Sequence, residues 1–263
     1  MSIAATLGEQ QWAARAKGEL GIIAFLEGNP TRAVSLIGQA LLSLVGSGDT
    51  AGAARLLTLL GNGYDEVRRF AEARWFFARA ISMMKNTPAA GFPFNAEVGD
   101  AFALAGEGHQ DESINLLTNV LSEARLEKEY GQQANALGAM GEIFLRSGDF
   151  ERARGYLLEA GRISEHIQLY RIQSEVMVEL GNAYRSLGDL RSAAAYINEG
   201  LEVSRKLGDR YSLPRDLTAA AELKAAQRKF QEANRLFSEA EDVIRTLPLS
   251  WMLNGLQRSR GSP

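Results

Sequence analysis

The chain has 263 residues, of which 46% are hydrophobic and 23% charged, so it can bury a large core and is too apolar to be disordered. Its formal charge of -3 leaves no basic excess to neutralise phosphates, which argues against nucleic acid or an anionic membrane as the main partner. The absence of cysteine excludes disulfides, thiolate metal sites and a cysteine nucleophile, and with no signal-like start and no apolar run of bilayer length the expectation is a cytoplasmic protein.

Residues 1–9 read as a lead-in. Leu7-Gly8-Glu9 stands one period before Gly48-Asp49, in the register of a loop between repeats, which suggests a segment of a longer array. From there to residue 247 small residues return in steps of forty. One series is Gly21, Gly61, Ala101, Gly141, Gly181 and Ala221; a second is Ala33, Ala73, Ser113, Ala153, Ala193 and Ala233; a third is Ala40, Ala80, Val120, Ala160, Gly200 and Ala240. Bulky residues keep the same step, as in Ile37, Phe77, Leu117, Leu157, Ile197 and Phe237. Such a period predicts six units without insertions, in which consecutive units bury what neither buries alone.

Each unit reads as two antiparallel helices joined by a short turn. In the second unit Trp75 falls at a position held elsewhere by Ser35, Asn115 and Arg235, which predicts an exposed convex face. The third is the irregular one. Pro88 and Pro93 interrupt the segment before it, so helix is expected to resume near Asn95 as an N-cap. Phe92, Phe94 and Phe102 are there either an aromatic anchor for a partner or a packed joint. In the fifth unit Met177, Leu180, Tyr184 and Leu187 form one apolar stripe, and Ala193, Ile197 and Leu201 another. Gly188-Asp189 separates them, as a glycine just past a helix C-terminus does. Gly181 and Ala193 are placed where the two helices cross, so close packing outweighs the roughly 1 kcal/mol that an interior glycine costs. At the end of the chain, residues 248–257 read as a capping helix carrying Trp251 and Leu253, and residues 258–263 as a disordered tail.

Leu57, Leu60-Gly61, Tyr64, Ala73, Phe77 and Ala80, with Leu137, Met140-Gly141, Phe144, Ala153, Leu157 and Ala160, form a pattern that resembles the tetratricopeptide repeat family. The unit here is forty residues instead of 34, so each pair carries roughly 9 Å more helix, a length similar to that of kinesin light chain and of bacterial regulatory members. The resemblance implies an all-α, right-handed superhelical solenoid of about six helix pairs. It implies a non-catalytic, cofactor-free module that binds a peptide or protein segment on its concave face as scaffold or adaptor. The alternative is a sensory or regulatory segment of a larger bacterial signalling or transcription-regulating protein.

Carrying the family's ligand-facing positions onto this chain points to Arg15, Arg55, Asn62, Phe102, Asn135, Glu142, Arg146, Glu179, Asn182, Arg185 and Glu222 as partner-binding residues. Gly99 falls in one of the same rings. The lysine that a carboxylate clamp needs is replaced by Thr58 before Asn62 and by Val178 before Asn182, so that clamp is absent. Asn62 and Asn182 are instead suited to grip a peptide backbone, since an amide donates and accepts at once. His109 and His166 occupy different repeat positions and do not form a metal site. The glycine-rich stretch 46–52 lacks the Gly-Lys-Ser/Thr ending of a phosphate loop. Oligomeric state stays open, because stacking faces at the ends of the solenoid could pair two chains.

Overall fold

In the computed structural model, residues 10–27, 29–86, 93–210 and 212–246 are described. Among them are twelve α-helices and no strand: α1 Gln10–Leu26, α2 Pro30–Gly46, α3 Thr50–Glu66, α4 Phe70–Lys85, α5 Phe94–Gly106, α6 Gln110–Leu126, α7 Tyr130–Arg146, α8 Phe150–His166, α9 Tyr170–Ser186, α10 Leu190–Leu207, α11 Leu213–Ala226 and α12 Phe230–Arg245. This is an all-α repeat fold. The lead-in 1–9, Pro88, Phe92 and the cap and tail at 248–263 lie outside the described residues.

The forty-residue unit is built from two halves of twenty. A residue in the left-handed region occurs at Gly48, Arg68, Gly108, Lys128, Gly148, Gln168, Gly188, Gly208 and Arg228. Each closes the preceding helix in the same way. At the turn after α9, Gly188 N–H donates to Arg185 O at 3.1 Å and Asp189 N–H to Tyr184 O at 3.0 Å, the paired bonds that satisfy the last carbonyls of a helix. Asp189 then opens α10 by accepting from Ser192 N–H. The role expected of Gly188 is therefore present. Arg68, Lys128, Gln168 and Arg228 make the equivalent turn without glycine, against a local cost that glycine does not have.

Residues 1–116 and 117–263 form two compact units. In the first, Phe77 is fully buried and occupies the space left by two glycines. A Cβ on Gly61 of α3 would lie 2.5 Å from Phe77 Cε1, and one on Gly99 of α5 would lie at the same distance from the same atom. Gly99 is thus a packing residue and not part of a ligand ring. Asp100, in place of the usual leucine, accepts from Arg74 Nε of α4 at 3.0 Å. Burial pushes its carboxyl up and Arg74 pulls it back. The helix after the irregular joint begins at Phe94 with Pro93 at its N-cap, so Asn95 is already inside the helix and is not its cap. Phe94 is only 4% exposed. Its ring is packed and cannot serve as an anchor.

The second unit repeats the arrangement. Gly141 makes room for Leu157, and Gly181 for Ile197. Val176 of α9 packs near Gly138 of α7 and Gly161 of α8, which shows how one pair covers the next. Trp75, in the first unit, is 64% exposed, as its register predicted.

These contacts separate two kinds of glycine. A Cβ at Gly181 would fall inside contact distance of Ile197 Cγ1 and 3.1 Å from Ala193 O, while one at Gly155 of α8 would meet nothing within 4 Å. Gly181→Ala is expected to destabilise the fold by about 1–3 kcal/mol through overpacking. Gly155→Ala should stabilise by about 0.5–1 kcal/mol through helix propensity alone. Urea denaturation of both variants checks the pair, and equal signs would overturn the packing account. By the same method Lys128→Gly should stabilise by about 1 kcal/mol, since it relieves the left-handed turn between α6 and α7.

Candidate interaction site

The candidates in the first unit are engaged in the fold or dispersed. Arg15 of α1 forks onto Asp49, with Nε and Nη2 at 2.8 and 2.9 Å from its two oxygens. Asp49 also caps α3 by accepting from Gly52 N–H at 2.9 Å. The Arg15 guanidinium holds the Asp49 carboxyl below its usual range against the opposing effect of burial. Arg15 thus joins one pair to the next. Arg55 of α3 pairs with Glu19 of α1 at 2.8 Å. Asn62 is exposed and Phe102 half-buried.

In the second unit the first helices of successive pairs, α7, α9 and α11, bring their candidates together. Arg185 of α9 donates to Glu222 of α11 at 2.7 Å. Arg146 of α7 donates to Glu142, one turn earlier, at 2.5 Å. Asn182 Nδ2 of α9 donates to Glu179 Oε2 at 3.4 Å. Asn135 lies on α7, half-buried. Asn182 Oδ1 and Arg185 Nε are buried without a hydrogen-bond partner. Such atoms cost about 1–3 kcal/mol each when left unpaired, so this face is under-satisfied in the isolated chain.

Glu179 is the electrostatic centre. Burial and then the nearby Glu142 push its carboxyl up to about 7, opposed by Arg215, Asn182 and Arg146. Arg215, of α11, keeps its proton more firmly than an ordinary arginine: desolvation works against its charge, but Glu179, Asp216, Glu175 and Glu142 outweigh it.

Beneath this face lies a polar chain that the sequence reading missed. Ser174 Oγ of α9 is 2.9 Å from Gly200 O and 2.6 Å from Ser204 Oγ of α10. Ser204 Oγ is in turn 2.5 Å from Asp216 Oδ2 of α11. Asp216 is 0% exposed, with Arg215 Nε 3.6 Å from its other oxygen. Ser204 Oγ donates to Asp216 Oδ2 and Ser174 Oγ donates to Gly200 O, with the two hydroxyls in contact with each other. Burial pushes the Asp216 carboxyl up, against Arg215 and the Ser204 hydrogen bond. The signal was present in the repeat register, where Asp216 follows Leu56, Ala96, Ala136 and Val176.

Tetratricopeptide-repeat family models match residues 136–165 and 174–207, which lie on α7–α10. Those two segments are similar to tetratricopeptide repeats. A curated relative, the TPR repeat-containing thioredoxin TTL4 of Arabidopsis thaliana, is 28% identical over 142 residues, which is 54% of this chain and 19% of that protein. Among solved structures, BtubC from P. vanneervenii has a TM-score of 0.58 at 17% identity, covering 91% of each chain. A Rap protein complexed with Competence and Sporulation Factor has a TM-score of 0.64 at 15% identity, covering 90% of this chain and 75% of that one. The structural likeness is one of fold. Among the described residues, no helix is long and apolar enough to cross a membrane.

Glu179 and Asp216 carry the same linkage sign. A carboxyl whose pKa is raised on folding binds its proton more tightly in the folded chain, so the stability it confers is complete at low pH and is lost as pH climbs through the folded value. For Glu179 that window runs from 4.5 to about 7. Glu179→Gln is therefore expected to raise the melting temperature at pH 8 and leave it nearly unchanged at pH 4. One proton can contribute at most about 1.4 kcal/mol per pH unit, and solvent reaching a half-buried side chain reduces that to a fraction. Adding Asp216→Asn should flatten the dependence further. Melts across pH 4–8 test this, and a variant curve parallel to the parent's would refute it.

Proposed function

We propose that the protein is a non-catalytic scaffold or adaptor that binds a peptide or protein segment on the face formed by α7, α9 and α11. The observation that carries this reading is the unpaired Asn182 Oδ1 beside Arg185 Nε, within a face whose other charges are largely paired. A passing main chain offers what these atoms lack: an N–H for the Asn182 oxygen and a carbonyl for Arg185 Nε. The surrounding ion pairs then set which segment fits. Asn135 and Glu222 lie at the edges of the same face.

A second reading is a sensory or regulatory segment of a larger bacterial signalling protein. It is favoured by likeness in fold to proteins solved with a bound factor or peptide, including a Rap conjugation gene regulator in complex with the Phr* peptide at 15% identity and a TM-score of 0.63. Both readings use the same face.

The test is selection of a random peptide library on the full chain, followed by fluorescence anisotropy of the selected peptides. Asn182→Ala is expected to weaken binding by roughly tenfold, in line with the loss of one or two buried hydrogen bonds. Lys206→Ala, which alters an exposed pair with Glu202 on α10, should leave binding unchanged. Failure to select any peptide, or equal affinity for the Asn182 variant, would overturn the proposal.

A further inference from the structure

The ion pairs on this face leave an asymmetry. Arg146 is held by Glu142, Arg185 by Glu222, and Arg171 lies 3.6 Å from Glu175. Glu179 has no such partner: its hydrogen bond is to the Asn182 amide. Next to it the Asn182 oxygen is an acceptor without a donor, and in the same network fully buried Asp216 leaves Oδ1 without a hydrogen bond. The unsatisfied groups are mostly acceptors. A carboxylate beside an amide oxygen that lacks a donor suits an ammonium or guanidinium group, which carries several donors and no acceptor.

We propose that Glu179 and Asn182 Oδ1 form a subsite for the positively charged side chain, lysine or arginine, of the segment bound on this face. The inference rests on the binding reading given above and assigns its partner a chemistry. The groups facing Glu179 are Glu142 and Arg146 from α7, Arg215 from α11 and Asn182 from α9 itself. The opposite side of α9 is occupied by packing, with Gly181 against Ile197 of α10. An incoming cation meets two carboxylates, Glu179 and Glu142. It also adds to Arg215 and Arg146, which oppose the effect of burial and of Glu142 on the Glu179 carboxyl. Binding therefore displaces the proton that burial and Glu142 hold on Glu179 up to about pH 7.

The experiment extends the peptide selection to Glu179→Gln in parallel with the parent chain. Parent-selected peptides are expected to share a lysine or arginine at one fixed position, and the variant to lose that preference. For a selected lysine peptide, affinity should rise by up to about tenfold between pH 6 and pH 8, following the ionised fraction of a group titrating near 7. The rise should vanish with the peptide's lysine replaced by norleucine and with the Glu179→Gln chain. Calorimetry of the same peptide in two buffers of different ionisation enthalpy should register proton release. Peptides that bind without a basic position, or that bind the parent and Glu179→Gln alike at every pH, overturn the cation subsite while leaving the binding face intact. If no peptide is selected at all, the binding reading falls and the subsite with it. Circular dichroism and a thermal melt confirm that the variant remains folded.

Discussion

The structure depends on the close approach of helices at points where one side chain is missing. Phe77 fits because Gly61 and Gly99 have no Cβ, and Leu157 and Ile197 fit because Gly141 and Gly181 have none. The bulky member stands sixteen residues after the glycine of its own pair, so the contact forms whenever two helices of that length fold back on each other. Dispersion and hydrophobic burial around such a ring or branched chain are worth roughly 1.5–3 kcal/mol each, more than the propensity lost at a helical glycine. The left-handed turn every twenty residues fixes the fold-back, and the glycine contact fixes how near the helices come. Within each of the two units they put the first helices of successive pairs next to one another.

That spacing determines what a functional face can be. On α7, α9 and α11 the outward positions of one helix reach those of the next, so Arg185 can span to Glu222 and Glu179 can sense Glu142 and Arg215. Most of these groups neutralise each other. A half-exposed pair of this kind contributes little to stability, but it excludes other partners by charge and holds side chains in fixed rotamers. On the proposed reading, the unpaired atoms between such pairs are where a partner would add free energy, because it would satisfy groups whose desolvation the fold has already incurred.

The period was legible because a repeat multiplies a weak signal. One glycine inside a helical stripe means little, whereas glycine or alanine at six positions forty apart fixes pairing, register and core at once. The turns were legible only in part. Gly188 announces its left-handed conformation, but Arg68 and Lys128 hide theirs, since the chain imposes it on them through the helices on either side. The ring assignments were the weakest step, because position within a repeat gives the direction of a side chain and not its partner. Arg15 is paired with Asp49, and Gly99 has a ring position in name while lying beneath Phe77. The Ser174–Ser204–Asp216 chain went unread because serine is small enough to pass for a packing residue and Asp216 for a solvated one.

Two acids of raised pKa within one unit need not have the same role, and their surroundings separate them. Asp216 is enclosed and accepts from Ser204 in a chain of hydrogen bonds joining α9, α10 and α11, so its carboxyl is part of the packing of three helices. Glu179 stands at the border of solvent with an unfilled acceptor beside it, so a cation arriving from outside can replace its proton without disturbing the core. The first arrangement is closed to solvent and the second meets it. A repeat fold can hold both within a few residues because its buried and outward positions alternate along the same helix, and one substitution in an apolar register, such as the aspartate at 216, is enough to convert packing into a polar strut.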